Sequence, residues 1–316
     1  MPRKSTVWTV ADMPDLGGKL IVVTGANSGI GLEETKEFSR RGAQVIMACR
    51  NREKAQAALD ALEAEVPAAR AQVMPLDLSS LASIHEFARA FKQAYTRLDI
   101  LVNNAGIMMT PYGTTQDGFE LQLGTNHLGH FALTGLLLDA LLAAPGSRVV
   151  TVSSMVHTQG NMDFDNLMYA NGAGYGPTRA YGRSKLANLL FAYELQRRLT
   201  AVGAKTISVA AYPGLAATNL STHLSERNWY MRLSVSILPF LAQSSAMGAL
   251  PVLRAAVDPA VQGGDYYGPG GFAGMRGYPV RVKSSAASHN QADAKRLWRV
   301  SEELTGVRYL DELPAG

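Results

Sequence analysis

The chain has 316 residues, 47% hydrophobic and 18% charged, a balance that gives one large domain ample material for a core. Its formal net charge of +4 is dispersed over local pairs such as Arg40 and Arg41, Arg197 and Arg198, and Lys295 and Arg296, which argues against a nucleic-acid-binding stripe. Cys49 is the only cysteine, so an intrachain disulfide and a cysteine-based metal site are excluded and a reducing, cytoplasmic setting is expected.

The first stretch, MPRKSTVWTVADMPDLGGK, lacks the apolar core of a signal peptide, and residues 1–16 read as an N-terminal extension. KLIVVTG (19–25) is a buried-strand run, followed by a helix over 29–41 and a strand at 43–49. NREKAQAALDALEAEV (51–66) predicts a helix stopped by Pro67. A strand at 71–77, a helix over 80–95 and a strand at 98–106 come next, then a long helical region over 117–144. SRVVTVSS (147–154) is a strand, AYGRSKLANLLFAYELQRRL (180–199) a helix and KTISVAAYPG (205–214) a strand. A final helix and short strand fall near 243–257 and 264–268. Near-continuous apolar strands separated by helices predict an α/β fold, a doubly wound parallel sheet of about seven strands with helices on both faces. No linker divides the chain, so residues 17–316 are expected to form a single domain.

Two apolar stretches bear on membranes. Residues 130–144 are too short to span and contain Asp139. Residues 233–253 carry no charge, but two prolines, four serines and a glutamine dilute them. A lipophilic lid over a pocket is the reading taken, with segments near 155–180 and 219–250 at the substrate mouth and no membrane span, only peripheral contact allowed.

TGANSGIG (24–31) follows a strand and opens a helix. Glycines at 25, 29 and 31 let the backbone turn sharply and approach a ligand, and a helix N-terminus offers free N–H groups to a pyrophosphate. This is the first βα turn of a dinucleotide-binding (Rossmann) fold, although its spacing is not GxGxxG. The second strand ends in ACRN (48–51). No acidic residue stands there to hold ribose hydroxyls, whereas Arg50 can pair with a 2′-phosphate, so NADP(H) is favoured with NAD(H) as the alternative.

Tyr181 and Lys185 share one helical face in YGRSK, where an ammonium can loosen a phenolic proton. Together with TGANSGIG, Asp77 in LDLSS, NNAG (103–106), Asn126 in TNHLGH, VSS (152–154) and PGLAAT (213–218), in that order, the chain resembles the short-chain dehydrogenase/reductase family over residues 17–270. The wording TNHLGHF and YGRSKLANLLF resembles the branch of retinol dehydrogenases and protochlorophyllide reductases.

The resemblance implies a catalytic set of Asn126, Ser154, Tyr181 and Lys185. Tyr181 would be the acid or base, and Lys185 would favour its phenolate and bind the nicotinamide ribose. Ser154, rather than Ser153, would hold the reacting oxygen, and Asn126 would hold a water on a proton path to Lys185. Gly25, Asn27, Ser28, Gly29, Ile30 and Gly31 would be cofactor-binding positions, with Arg50 and Asn51 at the second strand end. Asp77 would contact the adenine beside Leu78. Asn104, Ala105 and Gly106 would line the cofactor, and Pro213, Gly214 and Thr218 would enclose its nicotinamide end. Ser154 and Tyr181 stand 27 residues apart, wider than the common spacing of the family, which leaves the shape of the pocket open.

The expected activity is hydride transfer between NADP(H) and the carbonyl or alcohol of a lipophilic small molecule. The alternatives are reduction of a carbon–carbon double bond and a non-catalytic dinucleotide sensor. A hydrolase is disfavoured because GANSG (25–29) carries its serine one position late for GxSxG. His127 and His130 lack a third ligand and are expected to be ordinary helix histidines, with no metal bound. The family's usual pairing through the helices at 117–144 and 180–199 suggests a homodimer or homotetramer. Residues 271–316 lie beyond the shared motifs.

Overall fold

The computed structural model describes residues 7–215 and 243–310. Eight strands form one sheet in the order β3-β2-β1-β4-β5-β6-β7-β8. They are β1 Leu20–Thr24, β2 Gln44–Cys49, β3 Arg70–Pro75, β4 Ile100–Asn103, β5 Arg148–Val152, β6 Ile207–Ala211, β7 Tyr266–Pro269 and β8 Pro279–Arg281. The first seven run parallel, and β8 adds an antiparallel edge beyond the seven expected strands. Helices carry the parallel crossovers, among them α1 Gly29–Arg40, α2 Arg52–Glu65, α3 Leu81–Ala94 and α7 Pro177–Ala201. Two further helices follow β6 and β8, α8 Ser245–Val257 and α9 Gln291–Thr305.

The period of two along each strand divides the core. Ile21 and Val23 face one layer with Phe38, Leu62 and the α8 residues Leu250 and Leu253. Leu20 and Val22 face the other with Ile84, Phe91, Phe131 and Leu195. Trp8, Met13 and Leu16, from the stretch read as an extension, are buried in the first layer.

The region expected as one helix over 117–144 is interrupted. It comprises α4 Leu121–Leu123, a π-helical turn Gly124–Leu128, α5 Gly129–Leu136 and α6 Leu138–Leu142. Tight packing accompanies the irregularity: a Cβ at Gly124 would lie 2.4 Å from Thr115 Cγ2, and one at Gly129 2.5 Å from the Leu78 carbonyl oxygen. π-turns inside helices recur at functional sites, and this one carries Asn126.

α9 lies beyond the expected elements. Asn290 caps it by accepting from the amides of Ala292 and Asp293, and Gly306 closes it in the left-handed region. Its Trp298 is buried against Phe131, Phe191 and Tyr309, and its Ala294 and Leu297 pack on Leu186 and Leu190 of α7. Part of the apolar surface behind the expectation of homo-oligomers is therefore covered within the chain. Among the described residues no helix is long and apolar enough to cross a membrane. Most of the expected lid over 219–250 lies outside the described residues, as do residues 233–242 of the uncharged stretch at 233–253.

Candidate active site

The strand order reverses between β1 and β4, so the loops after them part and leave a crevice at their carboxyl ends. The glycine turn closes one side of it. Gly25 and Gly29 have φ of 70° and 55°, which a side chain would resist. A Cβ at Gly31 would stand 2.6 Å from both Asn104 Nδ2 and the Gly25 carbonyl oxygen, so only glycine lets α1 approach β4 this closely. Ser28 precedes α1 in extended conformation, and its side chain does not cap the helix. The first-turn amides of α1, including those of Gly29, Ile30 and Gly31, are therefore open to an anionic ligand.

Thr24 locks the crevice floor. Its Oγ1 accepts from the amides of Asn104 and Ala105, both at 2.9 Å, and its carbonyl accepts from Asn104 Nδ2 at 2.8 Å. His130 Nδ1 lies 3.0 Å from the Asn126 carbonyl, which can only accept, so this nitrogen carries the proton. His130 Nε2 then accepts from the Thr24 hydroxyl at 2.9 Å. Burial holds His130 down at about 4, which keeps that neutral tautomer. His127 Nε2 donates at 2.9 Å to Ser301 Oγ, because that hydroxyl already donates to the Leu297 carbonyl. Both histidines thus brace the π-turn from within the fold.

At the end of β2, Cys49 is buried and the amides of Ala26 and Asn27 hydrogen-bond its sulfur. Burial outweighs those bonds and pushes the thiol up to about 11, so it supports the glycine turn rather than reacting. Arg50 is exposed and makes no hydrogen bond or ion pair among the described residues. Asn51 instead caps α2, its Oδ1 accepting from the Lys54 amide. Asp77 Oδ1 accepts from the amide and hydroxyl of Ser79, which fixes the turn beyond β3, and Leu78 is buried against Gly129.

The chemical end is assembled by α7. Pro177 starts this helix one turn earlier than expected, with Gly176 as its cap. Lys185 Nζ donates to the Val152 carbonyl at 3.1 Å, which Asn188 Nδ2 also reaches. Ser153 Oγ donates to the Lys185 carbonyl and is buried, whereas Ser154 is half-buried and its side chain hydrogen-bonds Tyr181. The second serine is thus the one that faces the phenol. A Cβ at Gly106 would lie 3.1 Å from Asn126 Oδ1 and 3.4 Å from Lys185 Nζ, so NNAG, the π-turn and α7 converge on one space.

The long gap between Ser154 and Tyr181 does not separate them. The 3₁₀ turn Met155–Gln159 lies directly on the α7 backbone, where a Cβ at Gly182 would meet the Val156 carbonyl oxygen at 2.9 Å and one at Gly160 the Gly182 oxygen at 2.3 Å. Arg183 secures the rest of the inserted segment. It is 2% exposed, donates to the carbonyls of Asn161, Asn166 and Leu167, and lies 4.1 Å from the centre of the Tyr169 ring. Gly160, Gly182 and Arg183 stand inside the motif region, but their role follows from a contact between segments that spacing does not reveal.

One expectation needs amending. Burial pushes Tyr181 up to about 12, opposed by its hydrogen bond with Ser154, and holds Lys185 down at about 8. In the protein alone desolvation therefore wins over the neighbouring ammonium, which lies 5.8 Å from the centre of the phenol ring. Asn126 also differs: its Nδ2 donates to the Ile107 carbonyl and to Ser184 Oγ, and its Oδ1 accepts from the Ile107 amide. A water there would have to use the second lone pair of its carbonyl.

At the segment expected to enclose the nicotinamide, Gly214 has φ of 71° and a Cβ on it would meet the Met275 carbonyl oxygen at 2.4 Å. The Pro213 carbonyl accepts from Gln243 Nε2 at 2.6 Å. Thr218 lies outside the described residues.

A doubly wound sheet, a glycine turn at its switch point and a tyrosine–lysine pair beside a serine define a dinucleotide-dependent oxidoreductase. The family model for short chain dehydrogenases matches residues 19–229. Human retinol dehydrogenase 13 is 40% identical over 294 residues, covering 92% of this chain and 85% of that protein. Retinol dehydrogenase 12 of Mus musculus is 40% identical over 296 residues, covering 92% and 88%. A crystal structure of an uncharacterised Mycobacterium paratuberculosis protein aligns with a TM-score of 0.79 at 42% identity, covering 96% of this chain and 98% of that one. The RhlG–NADP complex of Pseudomonas aeruginosa aligns at 0.62 and 25% identity, covering 80% and 94%. The chain belongs to the short-chain dehydrogenase/reductase family, whose members act on alcohols or carbonyls.

Proposed function

We propose that the protein reduces the carbonyl group of a lipophilic small molecule with NADPH, Tyr181 acting as the proton donor. The observation that carries this reading is the convergence of Ser154, Tyr181, Lys185, Asn126 and Gly106 on one space beside the glycine turn. The lipophilic substrate is supported by the retinol dehydrogenase relatives and by the uncharged stretch at 233–253.

NADPH suits the residues present. The open first-turn amides of α1 would take the pyrophosphate, Arg50 the 2′-phosphate, and Asp77 and Leu78 the adenine side. Asn104, Ala105 and Gly106 would line its path, Lys185 would bind the nicotinamide ribose, and Pro213, Gly214 and Thr218 would close that end. When bound it supplies the hydride and, once oxidised, a positive ring.

The protein's own part is proton transfer. At neutral pH a phenol held near 12 stays protonated and can donate to a carbonyl oxygen as negative charge develops there. Ser154 Oγ donates a second hydrogen bond to the same oxygen. The Lys185 ammonium, below its pKa of about 8, stabilises the phenolate left behind and returns a proton to it. His130 and Thr24 hold the main-chain carbonyl of Asn126 and so fix the residue whose side-chain Oδ1 would take a water connecting Lys185 to solvent.

The test is NADPH oxidation against a panel of aldehydes and ketones of increasing apolar length, repeated with NADH and with Arg50→Ala. The expected result is turnover that rises with chain length, a preference for NADPH of at least about tenfold, and loss of that preference in the variant. Tight NADPH binding with no turnover of any carbonyl contradicts the reading.

A further inference from the structure

Ser154 leaves the sheet early. The last ladder bond on this strand is the Ser153 amide to the Ala211 carbonyl, and Ser154 itself starts the long inserted segment. Its carbonyl is nevertheless doubly held, by the His157 amide at 3.1 Å and by His157 Nδ1 at 2.7 Å. On the far edge of the same ring, Nε2 accepts from the Ser285 amide at 3.1 Å. A carbonyl only accepts and an amide N–H only donates, so these bonds require the neutral tautomer with its proton on Nδ1. The ring is 5% exposed and sits edge-on to Tyr266 at 6.1 Å. Burial lowers its pKa, which maintains that tautomer.

Ser285 lies in the turn between β8 and α9, and this turn is itself anchored. Ser288 Oγ donates to the Ser285 carbonyl at 2.6 Å. Next to it, Ser284 Oγ is 2.8 Å from the hydroxyl of Tyr193, which projects from α7 two turns beyond Lys185. The chain of bonds therefore runs from Ser154 through His157 to Ser285 and back to the helix that carries Tyr181.

We propose that His157 is a positioning residue for the reaction: it fixes the backbone of Ser154, and so the aim of Oγ, by tying it to the C-terminal turn at 284–288. The inference rests on the role of Ser154 stated under Proposed function. The serine at the mouth of a long insertion lacks a continuing strand partner, and the imidazole supplies the constraint the ladder no longer gives. A displacement of about 1 Å at a group that contacts the reacting oxygen costs about a hundredfold in rate.

Three full-chain variants separate the two bonds. His157→Asn puts an amide N–H near the position of Nδ1 and keeps donation to Ser154. His157→Gln puts a carbonyl oxygen near Nε2 and keeps only acceptance from Ser285. His157→Phe keeps neither. With a carbonyl from the panel that the unaltered protein reduces, His157→Phe is expected to lower kcat by about tenfold to a hundredfold, with KM and the NADPH Kd within about threefold. His157→Asn is expected to recover most of that kcat and His157→Gln less. An unchanged kcat in His157→Phe overturns the proposal, as does an equal loss in His157→Phe and His157→Asn accompanied by equal loss of thermal stability. If Tyr181→Phe is as fast as the unaltered protein, the reading of the site itself falls and takes this inference with it. If Tyr181→Phe is impaired and His157→Phe is not, only this inference falls.

Discussion

At the crevice between β1 and β4, shape comes from side chains that are absent; around Tyr181 it comes from buried polar side chains that are present. Gly25, Gly29 and Gly31 let the backbone of one loop lie against the next, and Thr24 then gathers the amides of Asn104 and Ala105. At the other end Lys185, Ser153, Asn188 and Arg183 each spend a donor on a backbone carbonyl, tying α7 to β5 and to the inserted segment. A site for an extended, anionic ligand needs room and N–H groups, which backbone supplies. A site for proton transfer needs groups held in particular protonation states, which only burial and hydrogen bonding can set.

The sharpest way to break this contrast is to remove the charge at the chemical end. Lys185→Met keeps the volume of the chain but loses the ammonium, and a fall of at least about a hundredfold in kcat/KM is expected, roughly 3 kcal/mol. In the unaltered protein Lys185 is charged below about 8 and neutral above it. The rate of carbonyl reduction should therefore fall as pH rises through about 8, a limb absent from the residual activity of Lys185→Met. A flat profile across that range would show that the ammonium does not serve the reaction.

The cofactor end should respond to added volume instead. Gly31→Ala places a Cβ 2.6 Å from an amide nitrogen and a carbonyl oxygen, and is expected to cost about 3 kcal/mol in denaturant unfolding and to weaken NADPH binding. If the variant unfolds at the same denaturant midpoint and binds NADPH normally, backbone approach does not shape this end. A smaller effect is expected from Arg183→Lys, which keeps the charge but cannot reach three carbonyls and cover Tyr169 at once. A loss of about 2 kcal/mol and faster proteolysis near 161–175 should follow, with KM raised more than kcat is lowered. Equal proteolysis of both forms would show that the inserted segment is held by other contacts.

Much of the fold was legible because its signals are local. Seven apolar runs, the Pro67 stop and the glycine turn each declare themselves within a few residues. β8, Pro279–Arg281, is too short to show a period and exists only by pairing with β7. The Asn290 cap, the Gly306 stop and the spacing of Ala294, Leu297 and Trp298 would have indicated α9, but not that it covers Phe131 and Phe191. The break at the π-turn follows from how closely Gly124 and Gly129 approach other segments.

The site divides in the same way. The order of TGANSGIG, NNAG, TNHLGH, VSS and YGRSK is a linear pattern and indicated which residues meet. The protonation states were not readable, because an i,i+4 spacing shows that an ammonium is near but not that burial outweighs it at Tyr181. His130 and His157 gave no signal beyond being histidines, since their partners Thr24 and Ser285 lie 106 and 128 residues away in the chain.

The central claim is that Tyr181 passes a proton to the reacting oxygen. Single-turnover NADPH oxidation by Tyr181→Phe, with a carbonyl that the unaltered protein reduces, tests it most directly. A loss of about a hundredfold to ten-thousandfold with unaltered NADPH affinity is the result predicted. Hydride transfer at an undiminished rate in the variant would contradict it.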